Sequence, residues 1–147
     1  MSRGRIQIVN PPELGAPVGY ANGALTRGPT LYVAGQIGWG EDQKFTTDDF
    51  AEQFAQALDN VLAVVRAAGG APEDVAKMTV YVTDLGAYRQ STRAVGKAWR
   101  ARFGRHFPAM ALVGVAGLLE PRAQVEIEAV AVIPDRATEV TGGGERA

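Results

Sequence analysis

The sequence predicts an α+β fold: a mixed sheet with two helices packed on one of its faces. Three observations carry that expectation. Hydrophobic spacing alternates along the chain between a period of two and the helical period. Segments rich in β-branched residues stand on both sides of each helical segment. A strand-helix-strand order requires a crossover between parallel strands, while the terminal strand pairs can close as antiparallel hairpins.

Residues 5–10, RIQIVN, alternate apolar and polar positions and stop at Pro11-Pro12, which cannot donate to a ladder, so they read as a short strand. VGYANGAL, residues 18–25, holds the turn or bulge pair Asn22-Gly23 inside an otherwise extended segment. TLYVAGQIG, residues 30–38, follows Gly28-Pro29 and is rich in strand-forming residues, which makes the start of the domain a meander. From Thr47 the period changes, and Phe50, Phe54, Leu58, Val61 and Val65 fall at helical spacing. Asp49 with Glu52 offers an acidic capping box and Gly69-Gly70 a left-handed stop, giving a helix of roughly six turns. VAKMTVYVTD, residues 75–84, returns to period two, with Met78, Val80 and Val82 on one face and Thr79, Tyr81 and Thr83 on the other. Tyr88, Thr92, Val95, Trp99 and Phe103 share one stripe of a second helix, closed by Gly104. Strands over 109–117 and 123–133 follow, on either side of a turn around Glu120-Pro121.

The chain has 147 residues, 46% of them hydrophobic, enough for one domain with a core that needs no staples. We expect that domain over 1–134 and a flexible tail over 135–147, where the sequence turns polar and glycine-rich. A net charge of −1 offers no clustered basic surface, so nucleic acid and anionic membrane are not expected partners. Without cysteine there is no disulfide, thiolate nucleophile or cysteine metal site, and the single His106 cannot assemble a multi-histidine one. The N-terminus carries no apolar signal segment and no run approaches a membrane span, which makes the cytoplasm the expected location.

The segment GRHFPAMALVGVAG, residues 104–117, turns apolar after Pro108 on both faces of the strand it predicts. The last strand is apolar too, apart from Glu126 and Glu128. A sheet face of that character predicts burial against another copy of the chain, because soluble monomers rarely leave such patches open.

Taken in order, YVAGQIG after a glycine turn, LDNVLAVVRAAGG, DVAKMTVYVTDL, and FPA followed by VEIEAVAV resemble the RidA (YjgF) family, also described as endoribonuclease L-PSP-like. The likeness covers residues 18–133. It implies a chorismate-mutase-like protomer and a homotrimer around a central barrel, with ligand clefts between subunits. It also implies hydrolysis of an enamine or imine to a keto compound and ammonia, with no metal or cofactor. By the same resemblance the family's cleft tyrosine falls on Tyr20, its glycine loop on Ala34-Gly35-Gln36, a helix-borne asparagine on Thr92 and the final-strand carboxylate on Glu126. The substrate-gripping arginine falls on Met110 and a cleft cysteine on Leu112.

Methionine has no donor for a carboxylate. Losing such a cation costs about 3–4 kcal/mol, two to three orders of magnitude in affinity. Glu126 is then the leading candidate for general acid or base work, with Glu128 on the same strand face. In the competing reading one of the two carboxylates meets Arg122 or a neighbouring copy. Arg27 and Arg122 are the nearest replacements in sequence for the missing cation, Trp39 is a candidate roof for the cleft, and His106 reads as structural. Two functions follow: a deaminase-like hydrolase for a less polar enamine or imine, or a non-catalytic trimer that binds a small metabolite or a protein through the same clefts. A nuclease would want a basic groove that the composition does not supply.

Overall fold

The computed structural model describes residues 5–134; the tail expected over 135–147 lies outside them. Its strands are β1 (Ile6–Val9), β2 (Gly23–Thr26), β3 (Thr30–Ile37), β4 (Val75–Val82), β5 (Ala109–Gly114) and β6 (Val125–Val132), and its α-helices are α1 (Phe50–Ala67), α2 (Leu85–Gln90) and α3 (Thr92–Phe103). The main sheet runs β3-β6-β4-β5. β4 and β5 are parallel, while β6 is antiparallel to both β3 and β4, so the sheet is mixed. The class is α+β.

Strand pairing and helix continuity differ from the sequence expectation at three points. β5 and β6 do not form a hairpin, because β6 lies between β3 and β4. Val125, Ile127 and Ala131 of β6 are fully buried, and a central position with two ladders encloses such side chains in a way that an edge cannot. The opening meander is absent as well. β1 and β2 pair with each other in a separate antiparallel ribbon, and the chain breaks away at Gly28, where φ is 127°, and at the donorless Pro29. The second helix is really two. Ser91 takes φ −109° and ψ 10°, and its amide bonds the Tyr88 carbonyl three residues back. The apolar stripe runs straight through that step, so periodicity alone could not show it.

α1 is 18 residues long, about five turns and not the six or so that the sequence predicts, because the helix starts only at Phe50, after its Asp49 cap. At its start the Asp49 side chain accepts the amide of Glu52 at 3.0 Å, and the Glu52 carboxylate takes the hydroxyl of Thr47 instead of returning to residue 49. At its end Gly69, with φ 93°, donates to the Arg66 carbonyl and Gly70 to that of Val65, a Schellman closure. Phe54, Leu58, Val61, Leu62 and Val65 on its inner face are buried against Met78, Val80 and Val82 of β4 and Ile127 of β6. Burial of each such side chain contributes about 1.5–3 kcal/mol. α3 adds Val95, Trp99 and Phe103 to the same core. A bidentate ion pair from Arg102 to Asp59, 2.6 and 3.1 Å, ties α3 to α1.

Register assigns the faces. Met110 lies beside Met78 and Leu112 beside Val80, which turns both toward the helices. Tyr81 pairs with Val113 and with Glu126, and Thr79 with Ala111 and Glu128, so these residues share the open face. That face is less uniformly apolar than β5 by itself predicts. Tyr32, 78% exposed, and Val113, 41% exposed, stand there among Thr79, Tyr81, Glu126 and Glu128.

Candidate functional site

Tyr20 reaches β5 through a local device. The amide of Ala21 donates to the Pro108 carbonyl at 2.9 Å, and Ala21 makes a parallel bridge with Ala109. The segment before it, with Gly19 at φ 79°, is thereby laid along the free edge of β5. Between this segment, the helix-facing side of β5 and the exposed flank of α3 lies a cleft of about 560 Å³, inside the range of small-molecule sites. Tyr20, Thr92, Met110 and Leu112 all line it.

Five aromatic side chains line the wall, Phe54, Tyr88, Trp99 and Phe107 as well as Tyr20. Trp99 stacks between Phe103 at 4.2 Å and Phe107 at 5.9 Å and donates its indole N–H to the His106 carbonyl. The His106 ring nitrogen Nε2 is 2.7 Å from the Val75 carbonyl oxygen. His106 therefore secures the joint between α3 and β4, in line with its structural reading.

Gly35, Gln36 and Glu126 do not line the cleft. They gather at a bulge in β3, where the register with β6 shifts between Val33 and Gln36. Gly35 sits so close to Glu126 that a Cβ there would collide with the carboxylate. The Gln36 side chain donates back to the Ala34 carbonyl at 3.1 Å. Glu128, on the same face, accepts a 2.8 Å hydrogen bond from the Tyr81 hydroxyl. That bond raises the Tyr81 pKa above its ordinary value, with added contributions from burial and from the negative charges of Glu128 and Glu126. The site residues expected from sequence thus fall into two groups: one in the cleft on the helix side, the other around Glu126 at the β3 bulge.

Arg122, Arg27 and Trp39 lie elsewhere. Arg122 pairs with Asp48 at 2.9 Å and covers the Phe45 ring, so it meets neither carboxylate of β6. Arg27 stands at the end of the β1-β2 ribbon, its amide bonded to the Arg5 carbonyl. Trp39 packs on Phe45 at 6.0 Å and its carbonyl accepts from Asn60, away from the cleft lining. The cations that do line the cleft, Arg100 and Arg105, were missed. A signal existed: Thr92, Gly96 and Arg100 are spaced by four, one row of a helix. No group of three His, Cys, Asp or Glu able to hold a metal occurs among the described residues, and none of their helices is long and apolar enough to cross a membrane.

A mixed four-stranded sheet with its helices on one face and a cleft between α3 and the edge strand defines a small α+β protein with a ligand-sized site. The chain belongs to the endoribonuclease L-PSP family, the RidA family of the resemblance above, whose model matches residues 12–133. It is similar to the 2-iminobutanoate/2-iminopropanoate deaminase of Escherichia coli K12, 38% identical over 108 residues, covering 71% of this chain and 80% of that protein. Among solved structures it resembles YyfB of the conserved Rid family from Yersinia pestis, a protein of unknown function, with TM-score 0.79 and 27% identity over 88% of this chain and 99% of the other. It also resembles Escherichia coli TdcF with bound serine, TM-score 0.62 and 31% identity over 82% and 92% of the two chains.

Proposed function

We propose that the protein is an imine or enamine deaminase acting on 2-imino carboxylates with side chains larger and less polar than those of its named relative, at clefts shared between copies of a homotrimer. The single observation that carries this reading is the division of the expected site between the two faces of the sheet. Within one protomer, Glu126 cannot reach a ligand lying on Met110. A second copy applied to the free β5 edge would bring its own Glu126 to that ligand, and the names of the deaminase relative and of TdcF with serine favour an amino-acid-like substrate.

In this mechanism the apolar cleft takes the substrate's side chain and excludes bulk water. The Glu126 carboxylate of the adjoining copy accepts a proton from one water molecule as its oxygen bonds to the C=N carbon. The proton passes to nitrogen, the tetrahedral carbinolamine collapses, and the C–N bond breaks. One imine and one water become one ketone and one ammonia, with no change of oxidation state. Met110, standing where the resemblance places an arginine, moves preference away from the smallest imino acids.

The test is ammonia release from imino acids formed in place by an amino-acid oxidase, with short and with bulky side chains. Release is expected to be faster for the bulky ones, and Glu126→Gln should lower kcat by about a hundredfold or more. If no imine releases ammonia above the buffer rate while Met110→Arg gains release from the smallest, the cleft binds without catalysing and the hydrolase reading fails.

A further inference from the structure

Arg100 and Arg105 are the cations of the cleft, and its described lining contains no aspartate or glutamate. Neither guanidinium makes an ion pair or side-chain hydrogen bond among the described residues. This contrasts with Arg102 on the same helix, held in a bidentate pair by Asp59. Arg100 lies back along α3 toward the cleft, since a Cβ on Gly96 would sit 3.3 Å from its Nη1. Glycine in a helix interior is unfavourable compared with alanine, and here it leaves open the surface over which the guanidinium lies. The floor beneath offers no comparable donor, only Met110, Leu112, Val80 and Phe54.

We propose that Arg100, assisted by Arg105, is the anion-binding element of this cleft, taking the carboxylate of a ligand whose aromatic body lies on the apolar floor. Polar and apolar ends are arranged in that order because the free cations come from α3 and the loop after it, while the strand residues carry no charge. The planar guanidinium suits a carboxylate through two parallel N–H donors. Five aromatic side chains around the floor give an aryl group edge and face contacts that a methyl group cannot fill. The methionine thioether adds a polarizable surface against the ring. The ligand class is therefore an aryl-substituted 2-imino or 2-keto carboxylate. This deepens the deaminase reading and rests on it only for the identity of the reacting group.

Calorimetry on the full chain separates the two. The probes are phenylpyruvate, pyruvate, and phenylacetone, which keeps the benzyl ketone and has a methyl group in place of the carboxylate. Wild type should bind phenylpyruvate at least about tenfold more tightly than either of the others. Arg100→Met should weaken phenylpyruvate by about tenfold to a hundredfold and leave phenylacetone unchanged, with Arg100→Lys in between and Arg105→Met the milder loss. Arginine at this exposed helical position is replaced by good helix formers, and an unchanged circular dichroism melt verifies the fold. Arginine-dependent phenylpyruvate binding without ammonia release from the matching imine supports the anion site and removes the deaminase reading. Equal phenylpyruvate affinity in wild type, Arg100→Met and Arg105→Met, or pyruvate bound as tightly as phenylpyruvate, overturns the assignment whatever the ammonia assay shows.

Discussion

The pair Tyr81 and Glu128 gives the open sheet face a measurable chemical signature. The tyrosine donates to the carboxylate, and both that bond and the nearby negative charges oppose formation of a phenolate. Its folded-state pKa lies above the unfolded value, so the stabilisation is fully present below the ordinary 10.0 and is lost as pH rises through the higher folded value. Glu128→Gln should bring the Tyr81 phenolate transition, isolated by difference against Tyr81→Phe, to lower pH. An unmoved midpoint would contradict the bond. Gly35 illustrates how far single residues were readable. Glycine inside a strand points to a bulge or a close backbone approach, but the group that approaches, Glu126, is far away in the chain and is brought there only by strand pairing. Arg122 shows the opposite case: its charge was evident, and its partner Asp48 was not.

The helices and strands were largely legible because their apolar periods are regular. What periodicity could not supply was the polar bracing of α1. Gln53 is wholly buried and donates to the carbonyls of Thr47 and Arg122 at 3.0 and 3.1 Å, while its own oxygen accepts the Gln124 amide at 2.9 Å. In sequence it is one more polar residue in a helix. In the fold it joins the loop before α1 to the segment entering β6. Asn60, about two turns further along the same face, holds the carbonyls of Ile37 and Trp39 at 2.9 Å each. Gln53→Leu preserves volume but strands these backbone groups, and chemical denaturation should show a loss of about 2–4 kcal/mol. A loss below about 0.5 kcal/mol would mean that the loop re-pairs with water. The break at Ser91 and the central placement of β6 belong to the same category, since each depends on which backbone groups find partners after the chain has closed.

For the assembled protein the expected homotrimer has a direct functional test. Copies carrying Glu126→Gln retain the cleft side, and copies carrying Arg100→Met retain the carboxylate side. If each cleft draws on two neighbours, refolding an equal mixture of the two should leave about a quarter of the clefts intact and restore a matching share of ammonia release. No recovery in a mixture that sediments as a trimer would place all catalytic groups within one chain. A monomer at micromolar concentration would contradict the shared cleft outright. The exposed Tyr32 and Val113 on the open face are the apolar area that such an assembly would cover. The amino-acid sequence alone established the α+β class, the helical stripes, the absence of cysteine chemistry and the family resemblance. These are carried by local spacing and composition, which survive without knowledge of contacts. The tertiary structure decided that Met110 and Glu126 lie on opposite sides of one sheet and that, among the described residues, the cations lining the cleft are Arg100 and Arg105, not Arg27 or Arg122. Pairing order and side-chain reach set those relations, and both arise from contacts between residues that are distant in the chain.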